Sequence, residues 1–335
     1  MFLQPKIKDS LTKLLIALSL KYKANQVWSY SDGKQFSVEV ASLIGILLLF
    51  VKQYKRDLNF NILFNSLNID ELIEVIKSQI LKNQNLDGGW TTANKIGQSD
   101  WNTGRALLFL RYFAYFNKSK DKQIDESINN AIYFLAAIRN ELFKPTVFYR
   151  LLLYVIDGEP ALRYGRGWPW DVNCYQWIEP TCYNLLAFKL PQRSTSEYFQ
   201  KIIKQANRYL LEHSCLHGGW NYGNDIILGH EIPAITATTA EALITLQDVK
   251  AHPVINLALK YLFSNVNCGS TVTELALTQI VNDIYLVKND LWLNSLLESQ
   301  NNDGSFGLNN YVSALAGLSL LTGLGYNAFK MSVVG

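Results

Sequence analysis

Cysteine is scarce in this chain. Four residues in 335, Cys174, Cys182, Cys215 and Cys268, are too few to staple a protein of this length, so a disulfide scaffold is excluded and reduced thiols are expected. Charge is scarce too. Asp, Glu, Lys and Arg make up 18% of the residues, and the formal net charge is +3. That surplus is too weak and too scattered for a nucleic-acid partner, and the one small basic group, Lys52, Lys55 and Arg56, reads as solvated surface. No apolar run approaches the roughly 20 residues that span a bilayer; the longest, residues 43–51, suits a buried helix. The first residues lack the small-residue cleavage pattern of a secretion signal. A cytoplasmic location is therefore expected, with room for a peripheral membrane contact. The sequence offers no Ser/His/Asp triad, no Gly loop that would cradle phosphate and no Asp-Asp-x-x-Asp segment that would hold magnesium and diphosphate.

What is abundant is apolar and aromatic. Hydrophobic residues reach 49% and aromatic ones 13%, enough for a large core or an aromatic-lined cavity. The most informative pattern is internal repetition. Gln84-Asn85-Leu86-Asp87-Gly88-Gly89-Trp90, Gly165-Arg166-Gly167-Trp168-Pro169-Trp170, Cys215-Leu216-His217-Gly218-Gly219-Trp220 and Gln300-Asn301-Asn302-Asp303-Gly304-Ser305-Phe306 are four turn-like segments that end on aromatics. Glycines permit tight reversal, neighbouring Asp or Asn can bond exposed amides, and the aromatic can cover the turn. After each turn a Thr or Ser precedes a small-residue, apolar helical run, at Thr103, Thr181, Thr239 and Ser313.

Between these landmarks apolar residues recur at three- and four-residue spacing. The periodicity predicts helices over 11–21, 36–53, 71–83, 106–116, 127–139, 147–156, 183–190, 199–211, 239–246, 254–263, 272–286, 291–297 and 314–324. Helices rich in Ala, Leu, Thr and Ser alternate with more charged ones. Alternating inner and outer helices would account for both observations. The expectation is an all-α, (α/α)6-type toroid of about twelve helices in two concentric rings, formed by residues 1–335 as one domain.

The Gln84–Trp90 and Gln300–Phe306 segments resemble the Gln-Trp repeats of the squalene–hopene and oxidosqualene cyclases and of related prenyltransferase-like proteins, over about residues 70–325. The resemblance implies a single-toroid relative that binds a large isoprenoid or other polyene. Class II cyclases carry Asp-x-Asp-Asp-Thr-Ala at the start of an inner helix, and the middle Asp protonates an alkene. Here Trp177-Ile178-Glu179-Pro180-Thr181-Cys182 aligns Glu179 with that acid, while Trp177 and Pro180 replace its flanking acids. The resemblance thus implies acid-initiated cyclisation by Glu179 without a cofactor.

Glu179 is the leading catalytic candidate, with a helix cap as its plainer reading. An apolar pocket would raise its pKa and keep it protonated, as a general acid requires. Asp100 holds the equivalent place in the first repeat and reads as a second acid or a cap. Trp101, Trp168, Trp170, Trp177, Tyr183, Trp220, Tyr222 and Tyr311 are the expected substrate contacts, because aromatic faces can stabilise a carbocation. Some of them would fill the core instead. Two other classes stay open: a non-catalytic toroid that holds a lipid or a partner protein, and a zinc-dependent prenyltransferase using Cys182, Cys215, His217, His230 or Glu231, whose spacing is not a specific zinc motif. The oligomeric state is not legible.

Overall fold

The computed structural model describes residues 3–31, 33, 35–92, 98–141, 155, 166–171, 174–191, 196–287 and 289–331. Within them are thirteen α-helices: α1 (Leu3–Asn25), α2 (Val38–Tyr54), α3 (Asn61–Ser66), α4 (Ile69–Lys82), α5 (Thr103–Asn117), α6 (Lys122–Glu141), α7 (Ile178–Lys189), α8 (Glu197–Glu212), α9 (Thr236–Thr245), α10 (Pro253–Asn265), α11 (Val272–Ile284), α12 (Leu291–Glu298) and α13 (Asn310–Gly323). Two short antiparallel ladders accompany them, β1 (Trp168–Pro169) with β2 (Gln176–Trp177) and β3 (Ile226–Ile227) with β4 (His230–Glu231). Apart from Val155, the helix expected over 147–156 lies outside the described residues.

The packing closes a circle. Helix α2 packs on α5, α5 on α7, α7 on α9, α9 on α11, α11 on α13, and α13 back on α2. A second ring surrounds the first: α4 packs on α2, α6 on α5, α8 on α7, α10 on α9, α12 on α11 and α1 on α13. This is the (α/α)6 toroid, with α3 as an extra turn of helix. Side-chain patterning explains the division. Helix α2 is buried continuously from Val38 to Val51, and α13 from Ser313 to Thr322, as a helix enclosed on every side must be. Outer helix α8 buries one stripe, Ile202, Ile203, Ala206, Asn207, Tyr209 and Leu210, and gives its other face to water.

The four turns link the ends of outer helices to the starts of inner ones, and their chemistry repeats. The backbone N–H of Trp90 donates to Thr103 Oγ1 at 3.0 Å, that of Trp168 to Thr181 at 2.8 Å, that of Trp220 to Thr239 at 2.9 Å, and that of Phe306 to Ser313 Oγ at 3.0 Å. Each motif hydroxyl therefore satisfies a buried amide at the turn's aromatic residue. The indole N–H groups of Trp90, Trp168 and Trp220 donate to carbonyls of the outer ring, at Ile80, Leu135 and Leu210. Gln84 Nε2 bonds the carbonyls of Gly88 in its own turn and Ser127 in the next outer helix; Gln300 does the same with Gly304 and Ser10. The second of these contacts joins the last turn to α1 and closes the ring.

Gly88, Gly218 and Gly304 show why the turns need glycine. Each has φ near +90°, and a Cβ there would lie 2.5–2.6 Å from a carbonyl oxygen of the neighbouring outer helix, at Asn130, Leu257 and Lys13. No helix among the described residues is long and apolar enough to cross a membrane.

Candidate active site at the pore mouth

Because every inner helix begins just after a turn, the inner-helix N-termini share one end of the pore. Two residues past the rim hydroxyls Ser37, Thr103, Thr181 and Thr239 stand Glu39, Arg105, Tyr183 and Glu241. Two residues before Thr103, Thr181 and Ser313 stand Trp101, Glu179 and Tyr311. Five different inner helices or their leading turns thus bring seven chemically active side chains to one place.

At the centre is Arg105, whose side chain is 1% exposed. Its Nη1 pairs with the buried Glu39 carboxylate, and its Nη2 lies 3.6 Å from Glu179 Oε1 and 3.5 Å from the Tyr311 hydroxyl. The guanidinium carbon sits over three rings: Tyr183 at 3.8 Å, Trp101 at 4.1 Å and Tyr311 at 5.3 Å from their centroids. The Tyr183 hydroxyl donates to Glu241 Oε1 at 3.0 Å and lies 3.3 Å from the Tyr311 hydroxyl.

Among the described residues charge does not balance here: three buried or half-buried carboxyls, Glu39, Glu179 and Glu241, surround one guanidinium. Burial raises the Glu179 carboxyl above its ordinary range, with Arg105 pulling the other way. Burial holds Glu241 well above its ordinary range, and the nearby Glu179 adds to the effect against Arg105 and the Tyr183 hydroxyl. The physical sense is simple: away from water one cation stabilises three carboxylates poorly, which favours the protonated forms of Glu179 and Glu241. The Glu179 side chain is 21% exposed and faces the mouth, whereas Glu241 is enclosed. Glu241 and Tyr183 border an interior cavity of about 10 Å³, otherwise lined by Cys182, Leu186, Ile244, Leu277, Leu315 and Phe329. That is room for about one water.

No protein-family model and no curated protein matches the chain. Solved structures do match in shape. A type II terpene cyclase from Scytonema, MstE, superposes with a TM-score of 0.59 at 14% identity, covering 96% of this chain and 99% of that one. A family 76 glycoside hydrolase from a bovine Bacteroides thetaiotaomicron strain gives 0.62 at 9% identity, over 96% and 78%. An α-amylase from Clostridium perfringens gives 0.60 at 10% identity, over 92% and 97%. The shared property is the toroid.

The expected aromatic contacts fall into two groups. Trp101, Tyr183 and Tyr311 converge on Arg105. Trp170 extends this wall, edge-on to Trp101 at 4.5 Å, and Trp177 lies 6.3 Å from a half-exposed Tyr222. Trp168 and Trp220 sit elsewhere: both are fully buried between the rings, held by backbone and indole N–H bonds, and serve the wall rather than the mouth. Asp100 is tied into its loop. Its Oδ2 accepts from the Thr92 N–H and hydroxyl, and its Oδ1 from the Asn102 N–H; burial nonetheless raises its carboxyl above the ordinary range. The zinc candidates do not form one centre. Cys182 is enclosed in α7, Cys215 is in a turn, and His217 pairs with Glu231 at 3.3 Å on the surface. Among the described residues no group of three or more His, Cys, Asp or Glu is arranged to hold a metal.

Sequence reasoning passed over Glu39, Arg105 and Glu241. A signal was available: each is a charged residue two positions past a rim hydroxyl, inside a helix apolar on all sides. A charge in such a helix must either be paired or face the pore.

Proposed function

We propose that the chain is an acid-initiated, class II-like cyclase of a linear isoprenoid or similar polyene, with Glu179 as the proton donor. The observation that carries this reading is the surplus, among the described residues, of carboxyls over cations inside an aromatic mouth. It favours a neutral, proton-bearing Glu179 that is the least enclosed member of the pair it forms with Glu241. Donation would leave the Glu179 carboxylate 3.6 Å from Arg105, which would stabilise the new anion. Trp101, Trp170, Tyr183 and Tyr311 would offer ring faces to the cationic intermediate, and Trp177 and Tyr222 would flank the approach. Asp100 is assigned the task of holding the Thr92 and Asn102 segments at the rim. The likeness to MstE supports the reading: a variant of that protein has been seen with geranylgeranyl dihydroxybenzoate, its substrate, and another with merosterolic acid A, its product. The kinship with squalene–hopene and oxidosqualene cyclases belongs to the same proposal.

The test is turnover of geranylgeranyl-type polyenes and their terminal epoxides, read as cyclised products by mass spectrometry. Glu179→Gln keeps size and hydrogen bonding but has no proton to give, so activity should fall by about 10²-fold or more with folding unchanged. Equal turnover by wild type and Glu179→Gln would remove the mechanism. A second reading, a non-catalytic toroid that holds a lipid or partner protein, draws on the small interior space. Binding of these polyenes without any conversion would favour it.

A further inference from the structure

Arg105 does not divide itself evenly among the carboxyls around it. Its Nη1 is in direct contact with Glu39, whose side chain is also buried. Its Nη2 stands off from Glu179 Oε1 at 3.6 Å and lies 3.5 Å from the Tyr311 hydroxyl. The helix starts differ in the same sense. Glu39 lies in the first turn of α2, where the helix N-terminus favours negative charge, and Ser37 caps that turn by accepting from the Val40 N–H. Glu179 lies in the first turn of α7, which has no side-chain cap. There the Ile178 N–H is spent on the Tyr222 carbonyl, and Pro180 has no N–H to offer.

Among the described residues, the titratable groups that share a field with Glu179 are Arg105 on α5, Glu241 on α9, Tyr311 on α13, and Tyr183 and Cys182 on α7 itself. Arg105 is the cation of this set, so the direction in which its charge is held sets how readily Glu179 ionises. We propose that Glu39 is a positioning residue: it holds the Arg105 guanidinium toward α2, out of direct contact with Glu179, and so keeps Glu179 in its proton-bearing form. Once that proton leaves, the same guanidinium is near enough to close on the new carboxylate. For the use of the proton this rests on the cyclase reading; the protonation itself is measured without turnover.

The experiment is an infrared pH titration of the full chain. A protonated carboxyl has a C=O stretch that a carboxylate lacks, and subtracting the spectrum of Glu179→Gln in the same background isolates the Glu179 band. Glu39→Gln keeps the side chain's size but not its charge. Arg105 should then close on Glu179 and lower the midpoint of that band by about 1–3 pH units. Glu39→Asp keeps the charge, so its midpoint should stay close to that of wild type. A merely structural role would lower the melting temperature of Glu39→Gln and leave the midpoint where it was. That result would overturn the proposal, as would a Glu39→Asp midpoint as low as that of Glu39→Gln. If Glu39→Gln does not fold, the double variant Glu39→Gln/Arg105→Met decides, because replacing both members of a buried pair is tolerated where breaking it is not. A guanidinium committed to Glu39 has little left for Glu179, so in the double variant the midpoint should rise by less than about 1 unit. A rise of about 1–3 units would mean that Arg105 serves Glu179 directly, and the proposal would fall. A lowered Glu39→Gln midpoint with no polyene turnover by wild type in the earlier assay would sink the cyclase reading and leave the role of Glu39 intact. Turnover with an unmoved midpoint would do the reverse.

Discussion

Two buried cations mark the two ends of the inner ring, and they are treated oppositely. Lys189, the last residue of α7, is fully buried and has three partners at 2.7 Å: Asn207 Oδ1, the Thr245 carbonyl and Asp248 Oδ1. It ties α7 to outer helix α8 and to the segment after α9, and Asp248 is a carboxylate that meets its ammonium. Arg105, near the start of α5, is equally buried but sits among three carboxyls and three aromatic rings, and its Nε has no hydrogen-bond partner among the described residues. A matched, fully bonded buried charge is a structural pin. A charge with surplus acids around it is an arrangement whose protonation can change, which is what a site needs.

The contrast can be broken most directly at the pin. Lys189→Met should lose about 3–5 kcal/mol of folding stability, because it removes the buried ammonium that Asn207 Oδ1, the Thr245 carbonyl and Asp248 Oδ1 all bond. Adding Asp248→Asn should recover part of the loss. Denaturant unfolding gives both numbers, and a loss under about 1 kcal/mol would mean that the two ends do not differ as described.

A smaller effect, dependent on pH, sharpens the other end. Burial raises the Glu179 and Glu241 carboxyls in the folded chain above the ordinary value of 4.5. Their raised values contribute stability that is fully present below the unfolded value and is lost as pH rises through the folded ones. Wild-type stability should therefore decline with rising pH above that point. Glu241→Gln cannot ionise in either state, so its decline should be shallower. Urea midpoints measured from pH 5 to pH 9 test this, and identical slopes would remove Glu241 from the proton-holding cluster.

The smallest expected change is at a rim hydroxyl. Thr239→Val leaves the buried Trp220 N–H without its acceptor and should cost about 1–3 kcal/mol. Thr103→Val and Thr181→Val should behave alike, since their bonds are equivalent. A neutral result at all three would mean that the hydroxyl pattern is not what fixes the turns.

Much of the architecture was legible because it is written in periodicity. The two rings follow from apolar spacing and from the alternation of enclosed and one-sided helices, and each ring helix has a counterpart in the expected set. The six-residue α3 was missed, being too short to show a period. The repeated Thr or Ser was visible as a pattern, but its purpose was not, since the acceptor role spans 13 residues from Thr103 to Trp90, 19 from Thr239 to Trp220 and 7 from Ser313 to Phe306. Glu179 was found through a local motif. Its partners Glu39, Arg105 and Glu241 come from three other inner helices; they share a place two residues past a rim hydroxyl, but nothing local says that they meet.

The sequence by itself determined the repeats, the glycine turns and the alternation of helices, because each depends on residues close together in the chain and on backbone conformations that few residue types allow. Only the tertiary structure decided which charges meet. Closing the ring sets Arg105 between Glu39 and Glu179, lays the Tyr183 hydroxyl on Glu241, and brings Phe329 to the far side of the same cavity. Those encounters join residues far apart in the chain, such as Glu39 with Arg105 and Tyr183 with Phe329 across one cavity. Whether a carboxyl there keeps its proton follows from burial and from the number of cations within reach, two quantities that exist only once the ring is closed.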